Sequence, residues 1–307
     1  MKTHSIIITY NGATWIERCL YSLIGQDLDN HKIIVIDNDS SDETTHIIKK
    51  QFPQVTLIET GENLGFGKAN NIGLRIALKE QADFVFLLNQ DAWILNNGLS
   101  KLLSIASDHE EYGILAPLQI TKNGELDRTF KIYLHGSKTP GLLMDRENNL
   151  LKEVYQTEFA NAGAWLISEK CLKHIGGFNP LFDHYGEDKN YIHRCRHHNI
   201  KIGITPKIEV VHDRPQQKKI HQTVTALSRN IYTFLLIELI NPNTNRTIQI
   251  SNSITLILKT LILYHNFKVL IALIVALRRI RHIGMDINEA KKMQLSFNSC
   301  FINNTIE

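Results

Sequence analysis

The first part of the chain alternates between two hydrophobic periods. Unbroken apolar runs at "HSIIITY" (4–10), "KIIVIDN" (32–38), "VTLIET" (55–60) and "DFVFLLN" (83–89) have the character of strands covered on both faces. Between them, "TWIERCLYSLIGQ" (14–26) sets Trp15, Ile16, Cys19, Leu20, Leu23 and Ile24 on one helical stripe. "SDETTHIIKKQF" (41–52) reads as a helix capped by Ser41 or Asp42, and "GKANNIGLRIALKEQ" (67–81) as a third helix. Strands alternating with helices across short loops predict an α/β architecture with a parallel sheet. In such sheets ligands bind beyond the carboxyl ends of the strands, so the polar residues there are the ones to weigh.

The middle of the chain is less regular. "YGILAPLQI" (112–120) predicts a strand, 121–151 has the Gly, Pro and Asn content of hairpins and a mobile loop, and "FANAGAWLIS" (159–168) returns to a strand. "GEDKNYIHRCRHHNI" (186–200) predicts a helix, followed by a strand pair over 201–213 broken at Pro206. From about 219 to Ile283 the pattern is helical.

Three acidic positions stand out. Asp37 ends the second strand, where a carboxylate accepts hydrogen bonds from a nucleobase imide or a ribose hydroxyl; the same residues, with Asp39 and Ser40, also suit a turn and a helix cap. Asp91 follows the fourth strand, as a hard oxygen ligand for Mg²⁺ or Mn²⁺ or as part of an Asn-Gln-Asp turn with Gln90 as spacer. Glu187 and Asp188 open a helix. Adjacent helical positions point about 100° apart, so at most one faces a given reacting atom, and acids at a helix start are favoured by the dipole alone. His212 ends a strand and is a candidate metal ligand, whereas the histidines of "RHHN" (196–199) read as a solvated helix end.

Composition narrows the class. The chain has 307 residues, 43% hydrophobic and 21% charged, with a formal charge of +3 that does not point to nucleic acid. Cys19, Cys171, Cys195 and Cys300 form no CxxC pair, which suits a reducing cytosol rather than a zinc site or disulfide framework. The start has neither a basic n-region nor an apolar h-region of a signal peptide, and no uncharged run reaches the ~18–20 residues of a spanning helix.

The motifs "TYN" (9–11), "VIDNDSSDET" (35–44), "ENLGFGKANNIGL" (62–74), "LLNQDAWI" (87–94), "NAGAWLIS" (161–168) and "GGFNPLFDHYGEDKNYIHRCRHHNIKIGITPKIEVVH" (176–212) occur in this order. Together they make the chain, over residues 3–215, similar to the family 2 glycosyltransferases of GT-A fold, above all their rhamnosyltransferase-like bacterial branch. The resemblance implies a mostly parallel central sheet flanked by helices over 1–215 and a helical C-terminal extension over 216–307. It implies that Tyr10, Asn11, Asp37, Asn63, Gly65, Asn70 and Asn89 line the nucleotide-sugar site. It implies further that Asp91 and His212 hold a divalent cation (Mg²⁺ or Mn²⁺), that Asp188 is the base with Glu187 beside it, and that Trp165 lines the acceptor side. Asn89 stands where the first acid of the family's DxD motif would be, which removes one charge and lowers the expected metal affinity.

The reaction so implied moves rhamnose or another hexose, with inversion, from a dTDP- or UDP-linked donor to a saccharide or lipid-linked glycan in bacterial surface polysaccharide synthesis. The location implied is the cytoplasm or the inner face of the cell membrane. Two rivals remain. A nucleotide-sugar-binding homologue without catalysis draws on Asn89 but leaves the intact "GED" unexplained. An NAD-dependent oxidoreductase needs a glycine fingerprint after the first strand, where this chain has "TYNGATW". The tail adds a further alternative. "ITLILKTLILYHNFKVLIALIVALRRIRHIG" (254–284) is strongly apolar but interrupted by Lys259, His265 and Lys268, and from Lys259 to Lys292 seven Lys or Arg stand against two acids. Such helices either pack on the catalytic unit or a second subunit, or lie on an anionic membrane surface.

Overall fold

A computed structural model of the chain describes residues 1–183, 185–214, 223–264, 267–296 and 300–302. Strands β1 (Thr3–Thr9), β2 (His31–Asp37), β3 (Thr56–Glu59) and β4 (Phe84–Asn89) alternate with helices α1 (Ile16–Ile24), α2 (Thr44–Gln51) and α3 (Phe66–Lys79). β3, β2, β1 and β4 lie side by side and all parallel, as the apolar runs predict. The second half turns the sheet mixed. β5 (Ala92–Ile94), α4 (Gly98–Asp108), β6 (Tyr112–Ile120), α5 (Arg128–Leu134), α6 (Leu142–Glu147), β7 (Tyr155–Gln156), β8 (Ala164–Ser168), α7 (Glu169–Ile175), α8 (Glu187–His197) and β9 (Lys201–His212) follow. The sheet order is β3-β2-β1-β4-β8-β6-β9-β5, with β7 beside β9 and β8 antiparallel to both neighbours.

Two-sided burial explains the unbroken runs. Successive strand residues point to opposite faces, so Ile6, Leu87, Ile114 and Trp165 enter the core under α3, α7 and α8. Their neighbours Ile7, Leu88, Leu115 and Leu166 enter the core under α1, α2 and α4.

Several expectations change. Region 121–151 opens with the expected hairpin, Thr121 N donating to the Glu125 carbonyl at 2.7 Å and Asp127 N to the Gln119 carbonyl at 3.0 Å. It continues as two short helices, the first capped by Asp127, which accepts from Phe130 N at 2.7 Å. β9 is one strand, not a pair: Pro206 falls where the register against β6 jumps from Thr205 to Glu209, so the residue without an N–H sits in a bulge. β8 begins only at Ala164, leaving 159–163 as loop. α2 begins at Thr44 with Glu43 as cap, while Asp42 takes the Thr44 N–H at 3.0 Å from outside the helix. His198 is buried and bonds the Gln294 carbonyl at 2.9 Å, so it is not a solvated end.

The C-terminal part comprises α9 (Val224–Leu239), α10 (Arg246–Tyr264), α11 (Phe267–His282) and α12 (Gly284–Met293). The 215/216 boundary, the helix start at 219 and His265 lie outside the described residues. α9, α10 and α11 share an apolar core that also takes Phe182 from the sheet-bearing half. The chain then returns to that half. Gly177 N donates to the Cys300 carbonyl at 2.8 Å, Arg75 Nε to the Ile302 carbonyl at 3.0 Å, and Asn71 Nδ2 to the Phe301 carbonyl at 3.2 Å. Wholly buried Arg194 completes the staple, giving Nη1 to the Ile175 carbonyl and Nη2 to the Gly177 carbonyl, each at 2.6 Å, with the Phe301 ring 5.1 Å away.

Arg194→Met would remove the guanidinium bonds to the buried Ile175 and Gly177 carbonyls and the cation beside the Phe301 ring. Urea unfolding is expected to show a loss of about 3 kcal/mol; a loss under ~0.5 kcal/mol would show that the staple carries little stability.

Candidate active site

The carboxyl ends of β1, β2 and β4 open on one side of the sheet, and polar side chains tie them together. Gln90, expected to be a spacer, is a clamp. Its Oε1 accepts from Thr9 Oγ1 at 2.6 Å and from Tyr10 N at 3.0 Å, and its Nε2 donates to the Tyr10 carbonyl at 3.2 Å. Gly12 makes room for it, since a Cβ there would sit 2.1 Å from Gln90 Oε1. Tyr10 is left half exposed at the rim. Asn11 adopts a left-handed φ of 48° and reaches the loop after β2, accepting from Ser41 N at 2.9 Å while its own N–H meets Ser40 Oγ at 2.9 Å.

Asp37 is buried, and its two oxygens differ. Oδ2 accepts from Ser40 N at 3.0 Å, whereas Oδ1 is buried with no partner. A buried carboxylate oxygen without a donor is costly, and an imide N–H or hydroxyl would satisfy it. Asn38 zips the neighbouring loop into place: Nδ2 donates to Asn63 Oδ1 at 2.9 Å and Oδ1 accepts from Leu64 N at 2.8 Å. Asn63 Oδ1 also takes Gly65 N at 3.0 Å. Gly65 has φ 79°, and a Cβ there would lie 2.4 Å from the Asp183 carbonyl, so glycine is required at this approach. Two expected site residues are not brought here. Asn70 is buried in α3 and donates to the Phe66 carbonyl at 2.9 Å. Trp165 is wholly buried, stacked on Phe178 with centroids 6.2 Å apart.

The structure does bring Asn89, Asp91 and His212 together. Ala92 of β5 pairs with His212 of β9, and Asp213 N donates to the Asp91 carbonyl at 2.8 Å. Buried His212 gives Nδ1 to Gln119 Oε1 at 3.0 Å, an oxygen that Arg214 Nη2 also approaches at 3.4 Å. With the proton on Nδ1, a neutral ring has a lone pair on Nε2. That nitrogen lies 3.2 Å from Asp91 Oδ1 and 3.4 Å from Asn89 Nδ2. Two acceptors that close are satisfied by a proton on Nε2 or by a cation between them. Neighbouring ligands of an octahedral ion at about 2.1 Å lie about 3 Å apart, so the pair fits one edge of a Mg²⁺ or Mn²⁺ shell. Among the described residues no three His, Cys, Asp or Glu cluster as a cage, so further ligands would come from diphosphate and water. Gln119 is a hub: its Nε2 also donates to Asn161 Oδ1 at 2.6 Å. A lone glutamine in an otherwise apolar strand is the one sequence signal for it.

Asn89, Glu187, Asp188, Asn161, Arg214 and Phe66 line a cleft of about 600 Å³. The adjacent carboxylates have different environments. Glu187 Oε2 is buried without a partner, and burial, with the Asp188 charge added, pushes its carboxyl up to about 8. Burial raises Asp188 as well, but the N–H groups of Lys189 and Ala162 oppose that by bonding its oxygens. Of the coupled pair, Glu187 therefore holds its proton the more strongly, and Asp188 is the readier of the two to carry the charge.

Asp188 also borders a second cavity of about 570 Å³, walled by Tyr133, Lys189, His193 and Arg196 and, from α9, by Thr233 and Phe234. His193 Nδ1 is buried without a partner, and burial, helped by the Lys189 and Arg196 charges, holds the ring down at about 4. It is a neutral group facing the cavity beside the carboxylate. Tyr185, at a left-handed φ of 67°, stands at the mouth of both cavities. Gln119, His193, Tyr185 and Arg214 are site residues that motif reading passes over.

A family model described as glycosyl transferase family 2 matches residues 5–176, more than half of the chain. The low-salt glycan biosynthesis hexosyltransferase of Haloferax volcanii is 28% identical over 218 residues, covering 68% of this chain and 66% of that protein. The dTDP-rhamnosyl transferase of Shigella flexneri is 25% identical over 210 residues, covering 68% of each. The matched regions thus span about two thirds of those relatives. Among solved structures, the mannosyltransferase from Pyrobaculum calidifontis in complex with GDP-Man and Mn²⁺ superposes with a TM-score of 0.59 at 16% identity, covering 95% of this chain and 84% of that one. That likeness carries the fold, and the family match carries membership: the chain belongs to glycosyl transferase family 2, on a GT-A architecture.

Proposed function

We propose that the protein transfers rhamnose or another hexose from a dTDP- or UDP-linked donor to a hydroxyl of a saccharide or lipid-linked glycan, in bacterial surface polysaccharide synthesis. The observation that carries this reading is the place of Asp188, a carboxyl group bordering both the cleft at the strand ends and the second cavity. A base shared by two cavities suits a reaction that joins two substrates.

In this reading Asp37 takes the base imide on its open Oδ1, and Tyr10 and Asn11 flank the nucleoside. Asp91 and His212 would hold a divalent cation, which would supply Lewis-acid stabilisation to a departing diphosphate. Arg214, lining the same cleft, adds a fixed positive charge beside it. The acceptor hydroxyl lies in the second cavity near His193 and gives its proton to Asp188 as its oxygen bonds to the anomeric carbon. The bond from that carbon to the diphosphate breaks, and nucleoside diphosphate leaves. With one base and no enzyme nucleophile, the outcome is a single displacement with inversion. Glu187, neutral at this pH, keeps a second negative charge away from the base.

Asp188→Asn is expected to lower nucleoside diphosphate release from a donor and acceptor by about 10²–10⁴-fold, with nucleotide affinity by calorimetry unchanged; wild-type turnover would overturn the base assignment. The wild-type rate is expected to decline on acidification already above the usual carboxylate range, since burial raises Asp188. Asp91→Ala should weaken nucleotide binding when Mn²⁺ is present and leave it unaltered in chelator, and identical losses in both would remove the metal role. Glu187 makes a separate test. Its folded value of about 8 lies above the model-peptide 4.5, so the stability it contributes is full below about 4.5 and is lost as pH rises toward 8. Glu187→Gln should therefore flatten the fall of Tm between those values, and parallel Tm curves for the two proteins would argue against a buried neutral acid.

A further inference from the structure

Helices α10 and α11 each have an apolar face that nothing in the described chain covers. α10 packs Leu256, Ile257 and Leu261 toward α9, and α11 buries Val269, Ala272, Leu273 and Ala276 in the same core. On the outward side of α10, Ile250, Ile254, Leu258 and Ile262 recur every four residues, which places them on one helical stripe, and each is 45–63% exposed. On α11, Leu270, Ile271, Ile274 and Val275 are 38–45% exposed. Their spacing repeats i, i+1, i+4, i+5, the signature of a second apolar stripe, so each helix is apolar on both its inner and its outer side. Large contiguous apolar faces on a folded protein mark contact surfaces.

Charge decides among the possible occupants. From Arg246 to His282 there are six Lys or Arg and no Asp or Glu. Lys259, Lys268, Arg278 and Arg281 are exposed around the two stripes, while Arg279 is turned inward to Asp183 and the Tyr232 ring. A second copy seated on the same face would bring these cations against their own equivalents. An anionic lipid surface complements them, with the aliphatic side chains entering the acyl boundary and the cations at the headgroups. Among the described residues no helix is long and apolar enough to cross a membrane, so contact would be in the plane of the surface. We propose that the outward faces of α10 and α11 dock this protein on an anionic membrane surface. The inference does not rest on the transfer reaction, and its test is read without activity.

The full chain would be floated with vesicles of phosphatidylglycerol and phosphatidylcholine, and with vesicles of phosphatidylcholine alone, at low and high salt. Binding to the mixed vesicles is expected, weakened about tenfold on the neutral ones and reduced by salt. The variant carrying Ile254→Gln, Leu258→Gln, Ile271→Gln and Ile274→Gln should bind about tenfold more weakly with its unfolding midpoint unchanged, because these side chains are already exposed. Arg278→Gln with Arg281→Gln should lose the preference for anionic lipid while keeping residual binding. Wild-type protein that stays unbound on mixed vesicles would overturn the proposal. So would a dimer in sedimentation that the four glutamine substitutions dissociate, which would assign the face to a second copy.

Discussion

The hydrogen bond from His212 Nδ1 to Gln119 Oε1, 3.0 Å long and wholly buried, is the constraint around which the site is arranged. It turns Nε2 toward Asp91 and leaves a neighbouring strand end no room for a side chain. Gly163 answers that demand, since a Cβ there would lie 2.9 Å from the imidazole Cε1. Because Gly163 can stay close, its carbonyl accepts from Asn89 N at 3.0 Å, joining the loop before β8 to the end of β4. Four strands thus converge on one ring. The bulge at Pro206 belongs to the same logic, because it lets a single strand pair with β6 along its length and still bring its last residues to β5.

Electrostatics divides the two helix-start carboxylates. Both gain from the helix dipole and both lose water, yet Asp188 has the N–H groups of Lys189 and Ala162 as well as its own to offset the desolvation, where Glu187 has only its own. Glu187, against the tight packing of Gly67 and Phe178, has none for Oε2 and keeps its proton. Sequence neighbours of like charge are thereby given unequal proton affinities, with Asp188 the easier of the two to ionise.

What could be read in the sequence follows from how local each cause is. Strands β1, β2 and β4 were legible because two-sided burial writes itself as unbroken apolar runs, and the three helices by their apolar stripes. β3 lies at the sheet edge with none of its four residues buried, and was legible only from the alternation. Asp91, His212 and Asp188 were legible as polar residues at element ends, joined by a resemblance that set their order. The helices in 121–151 were not, because α5 hangs on one cap, Asp127, amid turn-rich composition. Gln90 and Gln119 were missed for a different reason: a glutamine has no positional signature until the strands it bridges are known. Trp165 failed in the opposite sense, an aromatic in a site motif that the pleat turns into the core against Phe178 and Tyr191.

The C-terminal staple was invisible for a stricter reason. Arg75, Asn71 and Arg194 all donate to main-chain carbonyls, of Phe301 and Ile302 in the last segment and of Ile175 and Gly177 beside it. Carbonyls carry no sequence identity, so no pairing of residue types could announce them. Their effect is nonetheless specific. Arg194 lies on α8, the helix whose first turn holds Glu187 and Asp188, and its guanidinium holds the 175–177 turn that packs against that helix. α9 meanwhile walls the cavity beside Asp188. The helical extension is therefore bound to the sheet-bearing half at both its start and its end, through Phe182 in the core of α9–α11 and through the Cys300–Ile302 carbonyls.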